Sequence, residues 1–144
     1  MFKIDNNLYI SNKDSAYNSY LINKNNIKYC IDCTKNNYNI IQCKNIKFKS
    51  SDPPTNKDIN FIFNNIKSII KLILKINTKN INVLIFCNKG RNRSSTLAIG
   101  FLIYKYNINY ITAYRYLKNI NQNTLLNPSS QTIFIIQNLK NYLN

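Results

Sequence analysis

The segment NVLIFCNKGRNRSSTLAIGFLIY, residues 82–104, constrains the fold more than any other part of the chain. INVLIF is a short uninterrupted apolar run, the pattern of a central strand covered on both faces. It passes directly into the seven-residue turn Cys87–Arg93, CNKGRNR, and then into SSTLAIGFLIYKY, an apolar segment with helical spacing. A doubly buried strand followed by a buried helix requires a sheet with helices packed against it. The turn has its own peculiarity: the chain contains only two glycines and three arginines, yet one glycine and two arginines fall inside these seven residues.

Such a turn suits an anion. Backbone amides between a strand end and a helix start can converge on one point, and the helix adds its unsatisfied N–H groups and positive dipole end. Gly90 permits the positive φ or close backbone approach that a cradle needs. Arg93 offers a planar fork for two phosphate oxygens, which lysine cannot copy. Cys87 at the base of the cradle is placed to attack as a thiolate. Asn88, Lys89, Arg91 and Asn92 complete the cradle as substrate-binding positions. Ser94 has two open roles, a helix N-cap or a hydroxyl that steadies the thiolate.

The rest of the composition narrows the chemistry. The chain has no histidine, which excludes Ser-His-Asp and Cys-His catalysis and histidine-ligated metal sites. No glutamate is present, so a carboxylate proton donor must be Asp5, Asp14, Asp32, Asp52 or Asp58. Asp52, before Pro53-Pro54 in an exposed turn, is the favoured donor to a leaving alkoxide or phenoxide. Asp58 is its rival, although its place at a helix start suits N-capping better. No metal or cofactor is expected.

A net charge of +15 invites a nucleic-acid reading. Lysine, however, is spread along the chain, and Asn, Ile and Lys together make up about half of it, 29, 25 and 17 residues of 144. That is a compositional drift rather than a dedicated basic face. Arginine persists only at Arg91, Arg93 and Arg115.

With 44% apolar residues in 144, one domain spanning 1–144 is expected. There is no run of about 18 apolar residues and no secretory leader, which predicts a soluble intracellular protein. Cys30, Cys33, Cys43 and Cys87 are therefore read as reduced thiols. Cys30 and Cys33 form a C-x-x-C, but IKYCIDC reads as a strand, in which side chains three apart face opposite sides.

Strands are expected at NNLYIS, IKYCIDC, NIKFK and INVLIF, with a helical turn or two in KDSAYNSYLIN. Ile59, Ile62, Phe63, Ile66, Ile69, Ile70, Ile73 and Leu74 mark a long amphipathic helix, with Asp58 at its N-cap. YITAYRYLKNI and QTIFIIQNLKNYL complete the helices, the latter after the Asn-Pro break. The fold class is α/β, a central mixed sheet of about 4–5 strands with helices on both sides.

FCNKGRNRS resembles the HC-x-x-G-x-x-R-S/T signature of cysteine-dependent protein tyrosine phosphatases, and most closely the compact dual-specificity phosphatases, including the poxviral ones. NNLYISNKDSAYN is similar to that family's opening strand, IKYCIDCT to its second, SSDPPTNKDINFIF to its general-acid loop and helix, and NPSS to the turn before its last helix. The resemblance implies Cys87 as nucleophile, Asp52 as general acid, Arg93 as phosphate ligand and Ser94 as the hydroxyl that assists breakdown of the intermediate. It implies hydrolysis of phosphotyrosine and phosphoserine/threonine on phosphorylated proteins, in a shallow cleft.

Two departures stand out. Phe86 occupies the usual histidine position, which implies reduced though not abolished activity. The chain begins almost at the first expected strand, so dimerisation through the N-terminal helix of vaccinia-type relatives is not expected; a monomer or weak dimer is. Lys89 is expected to point outward, and Arg91 is left open. Related enzymes with basic loops act on RNA 5′ ends or phosphoinositides, which is the alternative substrate class; a phosphoprotein-binding pseudophosphatase is a further one. The Asn/Ile/Lys drift suggests an AT-rich genome, such as that of a large DNA virus, and action in host cytoplasm or virion.

Overall fold

The computed structural model describes residues 1–144. Its elements in chain order are β1 (Phe2–Asp5), β2 (Leu8–Asn12), α1 (Lys13–Ala16), α2 (Ser19–Lys24), β3 (Ile27–Asp32), β4 (Lys44–Lys47), α3 (Asn56–Asn77), β5 (Asn82–Cys87), α4 (Arg93–Tyr106), α5 (Tyr110–Ile120), α6 (Ser130–Asn138) and α7 (Lys140–Leu143). The strands form one mixed sheet in the order β1-β2-β5-β3-β4. β2, β5, β3 and β4 are parallel, and only β1 runs antiparallel, against β2. The expected α/β class with a mixed sheet stands.

β5 is the central strand, with β2 on one side and β3 on the other. Val83 through Cys87 are all buried, which is why its sequence lacks alternation. On one face lie α3, α4, α6 and α7 over a large core that includes Ile31, Ile85, Ile66 and Phe101. On the other face α1 and α2 cover a smaller cluster of Ala16, Ile22, Ile27, Cys30, Ile40, Leu84 and Phe86. Cys30 and Cys33 belong to opposite faces, as strand alternation requires, and all four cysteines are unbridged.

α4 is buried along Ser94–Ile103, so its whole length is fixed by neighbours. Gly100 allows α3 to close on it: a Cβ there would lie 2.8 Å from Ile66 Cδ1. α3 behaves as its periodicity predicts, with Ile62, Phe63, Ile66, Ile69, Ile70, Ile73 and Ile76 buried. No helix is long and apolar enough to cross a membrane.

KDSAYNSYLIN forms the expected helical turns, as two short helices, because the Asn18 side chain caps a new start at Leu21 N. Three expectations need correction. MFKID contributes a fifth strand, β1, joined to β2 by a tight turn with Asn7 at φ 63°. The last helix ends at Asn138 and restarts as α7. The N-cap of α3 is Thr55, whose hydroxyl accepts from Asp58 N, while the Asp58 carboxylate accepts from Thr55 N; Asp58 is thus the third helical residue of a capping box.

Candidate active site

The parallel strands all end at one edge of the sheet, and the turn after β5 lies at its centre. Ligand sites in open α/β sheets form there because the loops leaving the strand ends diverge around a crevice. Cys87 closes β5 and is 2% exposed. Asn88–Asn92 then turn the chain into α4.

The direction of the loop amides follows from where the carbonyls go. Asn88 O accepts from Lys13 N at 3.2 Å, Arg91 O from Leu125 N at 2.8 Å, and Asn92 O from Thr96 N at 2.9 Å and Thr96 Oγ1 at 2.8 Å. A planar trans peptide points its N–H opposite to its C=O. The N–H groups of Lys89, Asn92 and Arg93 therefore face away from these partners and toward the loop interior. No amide from Asn88 to Arg93 donates to a backbone carbonyl in the surrounding turns and loops.

Gly90 makes the turn possible in two ways. Its φ is +67°, and a Cβ would lie 2.9 Å from Asn12 N and 3.0 Å from Ser11 C, atoms of the neighbouring strand's backbone. Any side chain would both strain the turn and push it off the end of β2.

Arg93 is held at one end only. Its Nη1 donates to Ser50 O at 2.9 Å, while its Nε is buried without a partner. The edge of the guanidinium that carries Nε is the fork a tetrahedral dianion would fill with two hydrogen bonds. A buried unpaired donor costs about 1–3 kcal/mol, and a ligand oxygen would recover this.

Ser94 lies 3.1 Å from Cys87 Sγ through its Oγ, and both are buried. The N-cap of α4 is Asn92, without a side-chain capping bond, so capping is not what Ser94 does. Cys33 is a second thiol at this place: burial pushes it well above its ordinary range, with the neighbouring Cys87 and Asp32 adding and Arg93 opposing.

Asp52 is exposed and hangs over the turn, its Oδ2 accepting from Asn92 Nδ2 at 3.0 Å. The two aspartates thus separate by geometry. Asp58 is 2% exposed and enclosed: its Oδ2 accepts from Ser51 N, Ser51 Oγ and Thr55 N, and its Oδ1 pairs with Lys35 Nζ at 2.8 Å. Burial alone would raise the Asp58 carboxyl, but the bonds from Lys35, Ser51 and Thr55 outweigh it and hold it well below the usual carboxylate range. A carboxylate so engaged anchors the loop that carries Asp52.

Phe86 occupies a slot without polar contacts. It is fully buried against Ala16, Ile22, Ile27 and Leu84, and its ring meets Tyr38 at 6.2 Å between centroids. The Tyr38 hydroxyl donates to Asn88 Oδ1 at 3.2 Å. Lys89 is exposed and lines a separate cleft with Asn121 and Asn123, as expected of an outward side chain. Arg91 is half-buried; its carbonyl, on Leu125, is what ties it into the site.

The family model described as the dual specificity phosphatase catalytic domain matches residues 8–138. The chain belongs to the dual specificity phosphatase family. No curated protein sequence matches it. Among solved structures, the phosphatase is similar to a leucine rich repeat and phosphatase domain containing protein from Entamoeba histolytica, with 20% identity, TM-score 0.81, and coverage of 99% of this chain and 91% of that one. Human DUSP28 superposes with TM-score 0.85 at 11% identity, covering 99% and 97% of the two chains. The PTP-2 phosphatase of Cydia pomonella gives TM-score 0.77 at 19% identity over 94% and 87%. At such identities these likenesses establish the fold; the family-model match establishes the family.

Three contacts were not legible in the sequence: Asn92 to Asp52, Tyr38 to Asn88, and Arg93 to the Ser50 carbonyl. Each joins residues about forty to fifty positions apart, and asparagine is so common here that neither Asn88 nor Asn92 stands out.

Proposed function

We propose that Cys87, Asp52, Arg93 and Ser94 carry out two-step hydrolysis of phosphotyrosine and phosphoserine/threonine on proteins. The observation that carries this reading is the 3.0 Å bond from Asn92 to Asp52, which puts the one exposed carboxylate of this loop over the turn that holds the buried thiol. In the first step the Cys87 thiolate forms a bond to phosphorus as the bond from phosphorus to the substrate oxygen breaks. The protonated Asp52 carboxyl delivers its proton to that oxygen. Asn92 engages one carboxyl oxygen and leaves the other to hold the proton. The Nε edge of Arg93 and the amides of Lys89, Asn92 and Arg93 receive the phosphoryl oxygens.

In the second step Asp52, now a carboxylate, takes a proton from a water that attacks the phosphocysteine. The bond between sulfur and phosphorus breaks, inorganic phosphate leaves, and Ser94 Oγ donates to the departing thiolate. The half-open setting, with Asp52 exposed and only short loops around the turn, suits both short and long phosphorylated side chains.

An RNA 5′ end or a phosphoinositide gains little from the loop cations, because Lys89 lies in a different cleft. Kinship with compact poxviral-type members and origin in an AT-rich viral genome are supported by the Asn/Ile/Lys composition. The four unbridged cysteines support action in a reducing compartment such as host cytoplasm; a monomer or weak dimer is part of the proposal.

The test is hydrolysis of a small aryl phosphate and of phosphotyrosine and phosphoserine peptides, across pH 5 to 8, by the wild type, Cys87→Ser and Asp52→Asn. Turnover by the wild type, none by Cys87→Ser and a fall of about 10²–10⁴-fold with Asp52→Asn on the peptides are expected. A wild type that binds phosphopeptides without turning them over makes the protein a phosphate reader instead.

A further inference from the structure

Beside the catalytic turn lies a cleft of about 290 Å³ lined by Lys35, Lys47, Lys49, Lys57, Asp58 and Phe61. The four lysines come from distant parts of the chain. Lys35 follows β3, Lys47 ends β4, Lys49 follows it, and Lys57 is in the first turn of α3. All therefore gather at the sheet edge where Cys87 lies.

The charges do not cancel. Lys35 pairs with Asp58 and Lys47 with Asp32, at 2.8 and 3.0 Å, and both carboxylates are buried, at 2% and 1% exposure. Lys49 donates only to the neutral Asn37 side chain, and Lys57 has no ion pair. Four ammonium groups thus face two carboxylates that lie beneath them, which leaves two positive charges at the surface. The buried carboxylates also tether two of the stems, so part of the ordering entropy is already spent.

The cleft is connected to the active site through its walls. One wall is the segment after β3, in which Tyr38 O accepts from Lys47 Nζ and Tyr38 Oη reaches Asn88 of the catalytic turn. The other wall is the loop from Ser50 to Asp58, in which Ser50 O holds Arg93 and Asp52 meets Asn92. An extended peptide advances about 3.3 Å per residue, so a chain with its phosphoester over Cys87 that follows either wall passes the lysines.

We infer that this lysine cleft binds a second anionic group of the phosphoprotein substrate, a phosphate or clustered carboxylates a few residues from the target phosphoester, an inference that rests on the phosphatase reading above. The apolar face of Phe61 supports the aliphatic part of such a segment, and the exposed ammoniums of Lys49 and Lys57 take its charge. The site makes the enzyme selective for acidic or multiply phosphorylated stretches.

The test measures binding with the Cys87→Ser protein and with the same protein carrying Lys49→Ala and Lys57→Ala. The probes are fluorescent phosphotyrosine peptides whose flank bears a phosphoserine, three glutamates or three alanines. Both anionic flanks are expected to bind about five- to tenfold tighter than the alanine flank at low salt, and the preference is expected to vanish in the lysine variant and near 0.5 M salt. A larger gain for phosphoserine identifies a second phosphate as the preferred occupant; equal gains show that carboxylates suffice. Equal binding of all three flanks, a preference that survives the lysine substitutions, or 5′-phosphorylated RNA outcompeting the peptides through the same lysines overturns the inference. Turnover of a small aryl phosphate by Lys49→Ala/Lys57→Ala should equal that of the wild type. A wild type inert toward aryl phosphate defeats the phosphatase reading while leaving the binding comparison readable.

Discussion

Replacing Asp58 tests the division of labour between the two aspartates of the acid loop. Asp58→Ala removes the acceptor for Thr55 N, Ser51 N and Ser51 Oγ and leaves these donors around the place of a side chain that is 2% exposed. Loss of the capping-box half costs about 0.5–2 kcal/mol. Hydrogen bonds to a charged group add about 1.5–3 kcal/mol. The Lys35 pair adds little, since Lys35 is 54% exposed. A total of about 3 kcal/mol corresponds to a fall in Tm of roughly 6–12 °C for a domain of this size. Asp58→Asn keeps one carbonyl oxygen for the same three donors and should cost only about 1 kcal/mol.

The pH dependence has a definite sign. Because the folded Asp58 carboxyl lies below its unfolded value, its contribution is fully present above about pH 4 and shrinks as the pH falls, by about 1.4 kcal/mol per unit. The gap in Tm between wild type and Asp58→Ala, read by circular dichroism, should therefore be wider at pH 7 than at pH 3. Asp58→Asn should retain at least about half the activity on phosphopeptides, since the proposed acid is Asp52. Activity as low as that of Asp52→Asn, or a Tm gap that widens on acidification, would refute the assignment.

Asn92→Ala frees Asp52 from the turn; kcat is expected to fall about 5–20-fold on peptide and alkyl esters and much less on p-nitrophenyl phosphate, whose good leaving group needs less acid. Equal losses on both would show that Asn92 acts on the turn rather than on the acid. Gly90→Ala meets positive φ and the Asn12 backbone together, so a loss of about 1–3 kcal/mol and near-complete inactivation are expected in unfolding and turnover assays. Phe86→His places a polar ring among six buried apolar residues and should destabilise by about 1–3 kcal/mol in denaturant titration, even though it restores the residue usual in the family. Turnover should be unchanged by EDTA, as the mechanism above uses no metal.

What was legible in the sequence divides along a physical line. β5, its turn and α4 could be read because burial on all sides leaves an apolar run and because glycine and arginine are scarce enough here to carry information. α3 could be read because one face of a 22-residue helix repeats its apolar positions. β1 was missed because an edge strand of four residues buries only Ile4; the signal that was present was the Asp5-Asn6-Asn7 turn, since asparagine at positive φ is a hairpin residue. The start of α3 was misplaced by three residues because capping boxes usually carry Glu or Gln as the third residue, and this chain has no glutamate at all, so aspartate does the same work.

The missing histidine brings these threads together. A side chain before the nucleophile that donates hydrogen bonds would help hold the catalytic turn in shape, and phenylalanine cannot do so. In this chain the turn is held from outside: Lys13 N, Leu125 N and Thr96 fix three of its carbonyls, Tyr38 holds the Asn88 side chain, and Gly90 lies flat on the end of β2. None of these anchors is a histidine or a carboxylate, so the shape of the cradle should persist across pH 5 to 8. Tyr38→Phe is the substitution that separates the anchors: it keeps the ring against Phe86 and removes only the bond to Asn88, and on this reasoning it lowers kcat/KM by about two- to tenfold, the worth of one exposed hydrogen bond, without altering Tm by more than about 2 °C. An unchanged kcat/KM would mean that the backbone anchors hold the turn unaided.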